Sequence, residues 1–273
     1  MIRSRTFSLL AAALAITGAA HAAEPRFGIG VDYSSGDYGS DVTTEILSIP
    51  VTAQLDTGNW SLRASLPWVR VSGDANVLPG VGLVDNLNPT GRGRGGLLGG
   101  PPGGGTGSGD TLQRGEASGV GDLALRATYA VPTGTALGLD LGVNAKIATA
   151  DEDKGLGTGA NDYGVSVDLY RDFSGTLLFG GVGYTWLGDS AYIETDSAAN
   201  ANLGIARTVG NGRLGVMLDH RDATSHSFDD RRELIGFYNL HTGSGPRLQL
   251  YASHGLTDGS PDWGAGLAVS TAF

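Results

Sequence analysis

Leu137-Gly138-Leu139-Asp140-Leu141-Gly142-Val143-Asn144-Ala145-Lys146-Ile147 alternates without a break. Leu137, Leu139, Leu141, Val143, Ala145 and Ile147 fall on one side, and Gly138, Asp140, Gly142, Asn144 and Lys146 on the other. A helix needs apolar residues three and four apart, so this stretch is a β-strand with one apolar and one polar face. The same alternation places Phe27, Ile29, Val31 and Tyr33 opposite Gly28, Gly30 and Asp32. It places Leu123, Leu125, Ala127 and Tyr129 opposite Asp122, Arg126 and Thr128. Working outward gives twelve strand segments: 26–36, 46–56, 60–72, 118–131, 137–147, 162–173, 176–188, 198–209, 212–224, 230–242, 246–257 and 262–273. Segment 230–242 is the ambiguous one, because Ile235 and Phe237 oppose Leu234, Tyr238 and Leu240.

The connections alternate in length. Thr57-Gly58-Asn59, Pro132-Thr133-Gly134-Thr135, Ser174-Gly175, Gly210-Asn211 and Gly243-Ser244-Gly245 carry the residues of tight hairpins. Between them run longer loops at 37–45, 73–117, 151–161, 189–197, 225–229 and 258–261. At the start, Arg3 and Arg5 precede an apolar run from Phe7 to Ile16, and Ala20-His21-Ala22 follows. That order reads as a cleaved export signal over 1–22, since the apolar run is shorter than the ~20 residues a membrane helix needs.

Composition narrows the field. The chain has 273 residues, 46 of them Gly, no Cys, and a formal charge of −10. Without Cys, a disulfide scaffold or a thiolate metal site is excluded. The acidic balance argues against a nucleic-acid partner. An exported chain of alternating strands is either a soluble sandwich or a membrane barrel. The even strand number, short and long connections in turn, and a polar face rich in Gly, Asp, Arg and Ser favour the barrel. Aromatics near strand ends (Tyr33, Trp60, Tyr129, Tyr184, Trp186, Trp263 and Phe273) suit a membrane interface. The expected fold is all-β: a twelve-stranded antiparallel transmembrane barrel over 23–273, with 73–117 as a Gly-rich insertion. Within it, Gly91-Arg92-Gly93-Arg94-Gly95-Gly96 reads as a loop outside the cell; the alternative is a segment folded into the pore, its arginines paired with lumen acids.

Catalytic constellations are weak. His220 falls on the apolar parity of its strand with Arg221 and Asp222 beside it, and His226 precedes Ser227. A nucleophile needs a base and an orienter in register, which this pattern does not supply. No metal-ligand spacing stands out and no cofactor is expected. Asp151-Glu152-Asp153 before Lys154 reads as solvated loop charge.

By parity the inward set is Asp32, Asp56, Arg63, Asp122, Arg126, Asp140, Asn144, Lys146, Asp168, Tyr170, Asp172, Asp219, Arg221, Glu233, Arg247 and Tyr251. The expected pore-lining residues are Asp122, Arg126, Asp140, Asn144, Lys146, Asp168, Tyr170, Asp219 and Arg221. Twelve strands lie between the ~8 that side chains fill and the ~16 that leave an open channel, so the expectation is a narrow, charge-lined passage. Folding the hairpin about residues 132–135 pairs position i with 267 − i. That register sets Arg126 opposite residue 141, one step from Asp140, and Asp122 opposite 145, one step from Lys146, and so predicts a charge ladder of Arg126 with Asp140 and Asp122 with Lys146.

Several segments resemble the outer-membrane barrel family named for the MetA pathway of phenol degradation. Ser118-Gly119-Val120-Gly121-Asp122-Leu123 opens a strand as the family's Ser-Gly-x-Gly-Asp segment does. Pro132-Thr133-Gly134, Leu156-Gly157-Thr158-Gly159 before Asp162, and Gly183-Tyr184-Thr185 extend the likeness over roughly 118–190. The resemblance implies an outer-membrane transporter linked to aromatic or hydrophobic compounds, with no catalytic residues. The terminal Phe273 resembles the signal by which barrel-assembly machinery recognises such chains. The combined expectation is passive passage of small neutral or hydrophobic solutes through a barrel in contact with outer-membrane lipids and lipopolysaccharide. The alternatives are a structural or surface-interaction barrel with a closed lumen and, third, a lipid-modifying enzyme.

Overall fold

The computed structural model describes residues 24–86, 115–190, 193–225, 228–241 and 245–272. The export signal at 1–22, the Gly/Arg run at 91–96, His226 and Phe273 lie outside the described residues. The strands in chain order are β1 Glu24–Gly36, β2 Thr44–Thr57, β3 Trp60–Gly73, β4 Val77–Leu78, β5 Gly82–Leu83, β6 Asp85–Asn86, β7 Gly115–Val120, β8 Leu123–Ala130 and β9 Leu137–Ile147. They continue as β10 Asp162–Phe173, β11 Thr176–Trp186, β12 Ile193–Glu194, β13 Ala198–Val209, β14 Gly212–Arg221, β15 Arg231–His241, β16 Arg247–Gly255 and β17 Trp263–Ala272.

The large sheet runs β2-β1-β17-β16-β15-β14-β13-β11-β10-β9-β8-β3, and β2 also pairs with β3, so the sheet closes on itself. β7 and β8 share one place in the wall. The outer half of β3, from Trp68, pairs with β7, and its inner half, up to Ser65, pairs with β8. The wall is therefore a closed antiparallel barrel of twelve strands, as the alternation predicts. The insertion is shorter than the expected 73–117. Gly73 still belongs to β3 and residues 115–117 already belong to β7, because Gly73 pairs with Gly115.

The two faces of the wall follow from the alternation. Ile29, Val51, Val143, Val182 and Leu214 point away from the barrel, and Leu203 is 70% exposed. A water-soluble fold would bury such a continuous apolar belt, whereas in a membrane it is the lipid contact. Aromatic pairs border the belt at both ends. Tyr33 meets Trp263 at a tilt with centroids 5.2 Å apart, and Tyr184 meets Trp186 edge-on at 5.1 Å, towards the long-loop end. Trp60 meets Tyr129 at 4.9 Å towards the short-turn end. Two such girdles are what amphipathic rings form at two membrane interfaces.

The long-loop end is partly covered. After Gly73 the chain turns inward, and β4 pairs with β5 as a small hairpin. The Asp74 amide donates to Thr44 Oγ1 at 2.9 Å, which ties down its start. Arg221 Nη1 donates to the Gly80 carbonyl at 3.2 Å, and Thr224 Oγ1 to the Leu83 carbonyl at 3.2 Å. β6 pairs with β12 of the long loop at 189–197. Leu78, Val81, Val84 and Ile193 form the buried apolar cluster of this cap. Gly73 is indispensable to the turn: its φ is +137°, and a Cβ there would lie 2.5 Å from the Thr44 Cα. Gly73→Val is expected to unseat the hairpin. The folded barrel in detergent should then gain protease cleavage within 74–86 while still migrating as a folded species on unheated gels.

Candidate functional site

Among the described residues two adjoining chambers stand out in the lumen. The outer one, of about 780 Å³, lies beneath the hairpin, whose Leu78, Gly80 and Gly82 form part of its roof. Tyr38, from the loop after β1, also reaches into it, and burial pushes its phenol above the ordinary tyrosine range. The inner chamber, of about 380 Å³, lies towards the short turns and is lined by Arg26, Arg63, Arg247 and His241 with both polar neighbours such as Gln54 and Gln249 and apolar ones such as Phe27 and Leu248. Asp32 and Tyr251 border both chambers, and Tyr251 Oη donates to Asp32 Oδ1 at 2.8 Å.

One wall of the outer chamber is apolar. Leu177 and Phe179 on β11, Ala206 on β13, Met217 on β14, and Ile235 and Phe237 on β15 form this shelf. Phe179 and Phe237 meet edge-on with centroids 6.1 Å apart. Their rings lie against the wall because each stands opposite a glycine. Phe179 faces Gly204 across the ladder, and Phe237 faces Gly215. A Cβ on Gly204 would come within 2.2 Å of the Phe179 ring, and one on Gly215 within 2.5 Å of the Phe237 ring. Tyr170 over Gly138 and Tyr251 over Gly266 repeat the arrangement. The sequence pattern treats this parity as polar, so the shelf was not expected. The mixed faces of segment 230–242 were its signal: Ile235 and Phe237 serve the lumen, while Leu234 and Tyr238 serve the lipid side.

The pore-lining residues expected from the sequence separate into three groups. Arg126, Asp140, Asn144, Asp168 and Tyr170 share the inner face of β8, β9 and β10. Arg126 Nη2 donates to Asp168 Oδ2 at 3.2 Å and Ser166 Oγ at 3.1 Å. Tyr170 Oη donates to Asp140 Oδ1 at 3.3 Å. Asp140 and Asp168 are direct cross-strand partners, so Arg126 and Tyr170 each take up one of two facing carboxylates. The predicted Arg126–Asp140 pair is therefore corrected. The hairpin register pairs Arg126 with Asn144 and Ala130 with Asp140, three residues beyond the expected register, because the connection reaches to residue 136.

Asp122 and Lys146 belong instead to a clamp at the outer rim. Lys146 Nζ lies 3.5 Å from Asp122 Oδ2, 2.8 Å from Asp162 Oδ2 and 2.9 Å from Thr158 Oγ1. Asp122 Oδ1 accepts from the Thr149 and Ala150 amides at 3.0 and 2.9 Å. The Ser-Gly-x-Gly-Asp segment is built for this contact. The Gly121 amide donates to the Pro67 carbonyl at 2.8 Å, and a Cβ on Gly119 would lie 2.9 Å from Leu156, which is buried. Both resembling stretches, 118–123 and 156–159, thus meet in one joint between wall and loop.

Asp219 and Arg221 stand at the outer mouth. Asp219 faces Glu233, and Arg221 faces Arg231, across the ladder. Arg231 pairs along its own strand with the buried Glu233, two residues on, and Arg221 holds the cap through Gly80. His220 is on the outer surface. Its Nε2 lies 3.1 Å from Asp222 Oδ1, and Arg232 Nε lies 3.3 Å from its Nδ1. Arg232 Nη2 also donates to Asp230 Oδ2 at 3.0 Å. The Ala223 amide bonded to Asp230 holds that carboxyl below the usual carboxylate range. His220, Asp222 and Asp230 have the donors for a cation, yet the Arg232 guanidinium already sits among them. Among the described residues no hydroxyl is bonded to His220.

Removing the central cation of the rim clamp should be costly, since it leaves two poorly exposed carboxylates side by side. Lys146→Met is expected to destabilise the barrel by roughly 1–3 kcal/mol. The measurement is the temperature at which the folded gel band converts to the unfolded one.

The fold has a counterpart among solved structures. The NanC porin is similar over 89% of this chain and 97% of its own, with 9% identity and a TM-score of 0.50. The KdgM porin in complex with disordered oligogalacturonate covers 89% and 99%, with 7% identity and a TM-score of 0.49. The CymD monoaromatic hydrocarbon channel covers 92% and 87%, with 11% identity and a TM-score of 0.42. Against curated protein sequences there is no match. Residues 34–273 match the family described as "Putative MetA-pathway of phenol degradation". With nearly the whole barrel covered by that match, the chain belongs to this family.

Proposed function

We propose that the protein is a passive channel of the outer membrane for small neutral or hydrophobic solutes, aromatic ones among them. The observation that carries this reading is the apolar shelf inside an otherwise polar lumen. A water-filled pore for sugars or salts has no use for Phe179, Met217, Ile235 and Phe237 on its inner wall. A solute with apolar surface gains by leaving water there, at ~25 cal/mol per Å² of apolar area covered. The outer chamber is in the size range of small-molecule sites, ~300–1,000 Å³.

In this reading Arg126, Asp140, Asn144, Asp168 and Tyr170 line the passage, and Asp219 and Arg221 flank its mouth. Asp122 and Lys146 support the rim. The aromatic girdles contact lipid and lipopolysaccharide, and Phe273 serves the assembly machinery. The proposal includes no catalytic step and no cofactor. The closed-lumen alternative draws on the hairpin cap, which the Arg221–Gly80 bond holds across the outer chamber.

Purified barrel in planar bilayers separates the two. A channel gives discrete conductance steps, and benzyl alcohol should enter barrel-containing liposomes faster than protein-free ones. Deleting residues 75–84 should raise the conductance several-fold if the cap restricts an existing path. A barrel silent in both assays, with and without the cap, would rule out the channel reading. Phe237→Asp should reduce benzyl alcohol entry relative to glycerol, since it replaces shelf surface by a hydrated charge.

A further inference from the structure

The inner chamber carries a charge arrangement that the apolar shelf does not explain. Reading one rung around the lumen face, Arg26 on β1 pairs with Gln54 on β2, Gln54 with Arg63 on β3, and Arg63 with Arg126 on β8. Three guanidinium side chains thus stand on one rung across four neighbouring strands. Arg63 and Arg126 are direct cross-strand partners, a placement in which like charges destabilise a sheet.

The two outer members are neutralised. Arg26 Nη1 lies 3.1 Å from Asp56 Oδ2, and Arg126 Nη2 lies 3.2 Å from Asp168 Oδ2. Gln54 is engaged as well, its Nε2 donating to Asp56 Oδ1 at 2.9 Å and Ser61 Oγ at 3.2 Å. Arg63, between them, has no hydrogen bond or ion pair among the described residues. It is exposed to the lumen and lines the inner chamber with Arg26 and Arg247. The acids nearest the rung are already taken: Asp56 by Arg26, Asp168 by Arg126, and Asp32 by Tyr251.

We propose that Arg63 is a carboxylate-binding station on the solute path. The solutes it selects are small amphipathic monocarboxylates, whose apolar part rides the Phe179–Phe237 shelf before the carboxylate reaches the inner chamber. A guanidinium presents a planar fork that matches a carboxylate with two parallel hydrogen bonds. An anion there also relieves the repulsion between Arg63 and Arg126, so the empty rung is the less favourable state. The open geometry keeps the hold weak enough for release, which conduction requires. The proposal rests on the channel reading and adds an ionised group to the solutes that reading allows.

Benzoate and benzyl alcohol are the probes, matched in ring and differing in charge. In barrel-containing liposomes the ratio of benzoate to benzyl alcohol uptake is expected to fall about tenfold in Arg63→Gln, the loss of roughly one charge-assisted contact. Arg63→Lys should recover only part of it, since the charge returns without the fork. In detergent, benzoate should raise the temperature of gel-band conversion for the native barrel and less so for Arg63→Gln. If the native barrel conducts but Arg63→Gln keeps the native uptake ratio, the station is overturned and the channel stands. If neither conductance nor uptake is seen, the channel reading fails. Arg63-dependent stabilisation by benzoate would then still establish the site, and its absence would remove both.

Discussion

Everything in this protein depends on the closure of one hydrogen-bond ladder. In hydrocarbon no water is available to an unpaired amide or carbonyl, so a sheet can cross a membrane only without edges. Here β17 returns to β1 in register from Arg26 opposite Ala272 to Ser35 opposite Trp263. Closure then dictates the inverted distribution of residues. The apolar face must look outward, and whatever faces inward is spared lipid and can be polar, glycine or aromatic. The buried apolar cluster of Leu78, Val81, Val84 and Ile193 is accordingly small and sits in the cap rather than in the wall.

Spared from lipid, the inner face is organised in layers along the axis. At the outer mouth, charges alternate along each of two neighbouring strands, Asp219 and Arg221 on one, Arg231 and Glu233 on the other, and Arg221 reaches up to the hairpin. Below that comes the apolar shelf, then the Tyr251–Asp32 contact shared by both chambers, then the arginine rung. Like charges face each other at several rungs, Asp140 with Asp168, Asp219 with Glu233, and Arg63 with Arg126. At the first, Arg126 and Tyr170 reach the carboxylates from neighbouring positions; at the second, Arg231 meets Glu233. The rung at Arg63 differs because its neighbours' acids are committed elsewhere.

The strands were legible because alternation is a local property. Leu137–Ile147 states its own two faces, and Gly58-Asn59 or Ser174-Gly175 states its own turn. The lumen was legible in sign but not in detail. Arg126 and Asp140 share a parity that any reading finds, yet their pairing depends on where a hairpin turns, and three residues of register moved Arg126 from opposite residue 141, beside Asp140, to opposite Asn144. The shelf was hidden for a different reason. A strand with apolar residues on both faces looks like noise, and in β15 that noise was the signal of a second apolar surface. The family segment Ser118–Asp122 was recognisable as a motif, but its purpose required Leu156 and Pro67, which are distant in sequence. The cap was least visible, since nothing between Asp74 and Asn86 shows that Gly80 will meet Arg221.

The four aromatic rings lying over cross-strand glycines bear on how such a barrel changes its calibre. In a closed sheet the circumference is set by strand number and stagger, and neither can be altered one residue at a time. The free width inside is another matter. A ring laid flat over a missing Cβ thickens the wall by about the depth of a π-face, while the same ring standing over any larger residue projects towards the axis. Each glycine–aromatic pair is therefore a local valve seat. Barrels with the same number of strands can diverge from wide to nearly sealed through exchanges at positions such as 204, 215 and 266, with every backbone hydrogen bond of the wall left in place.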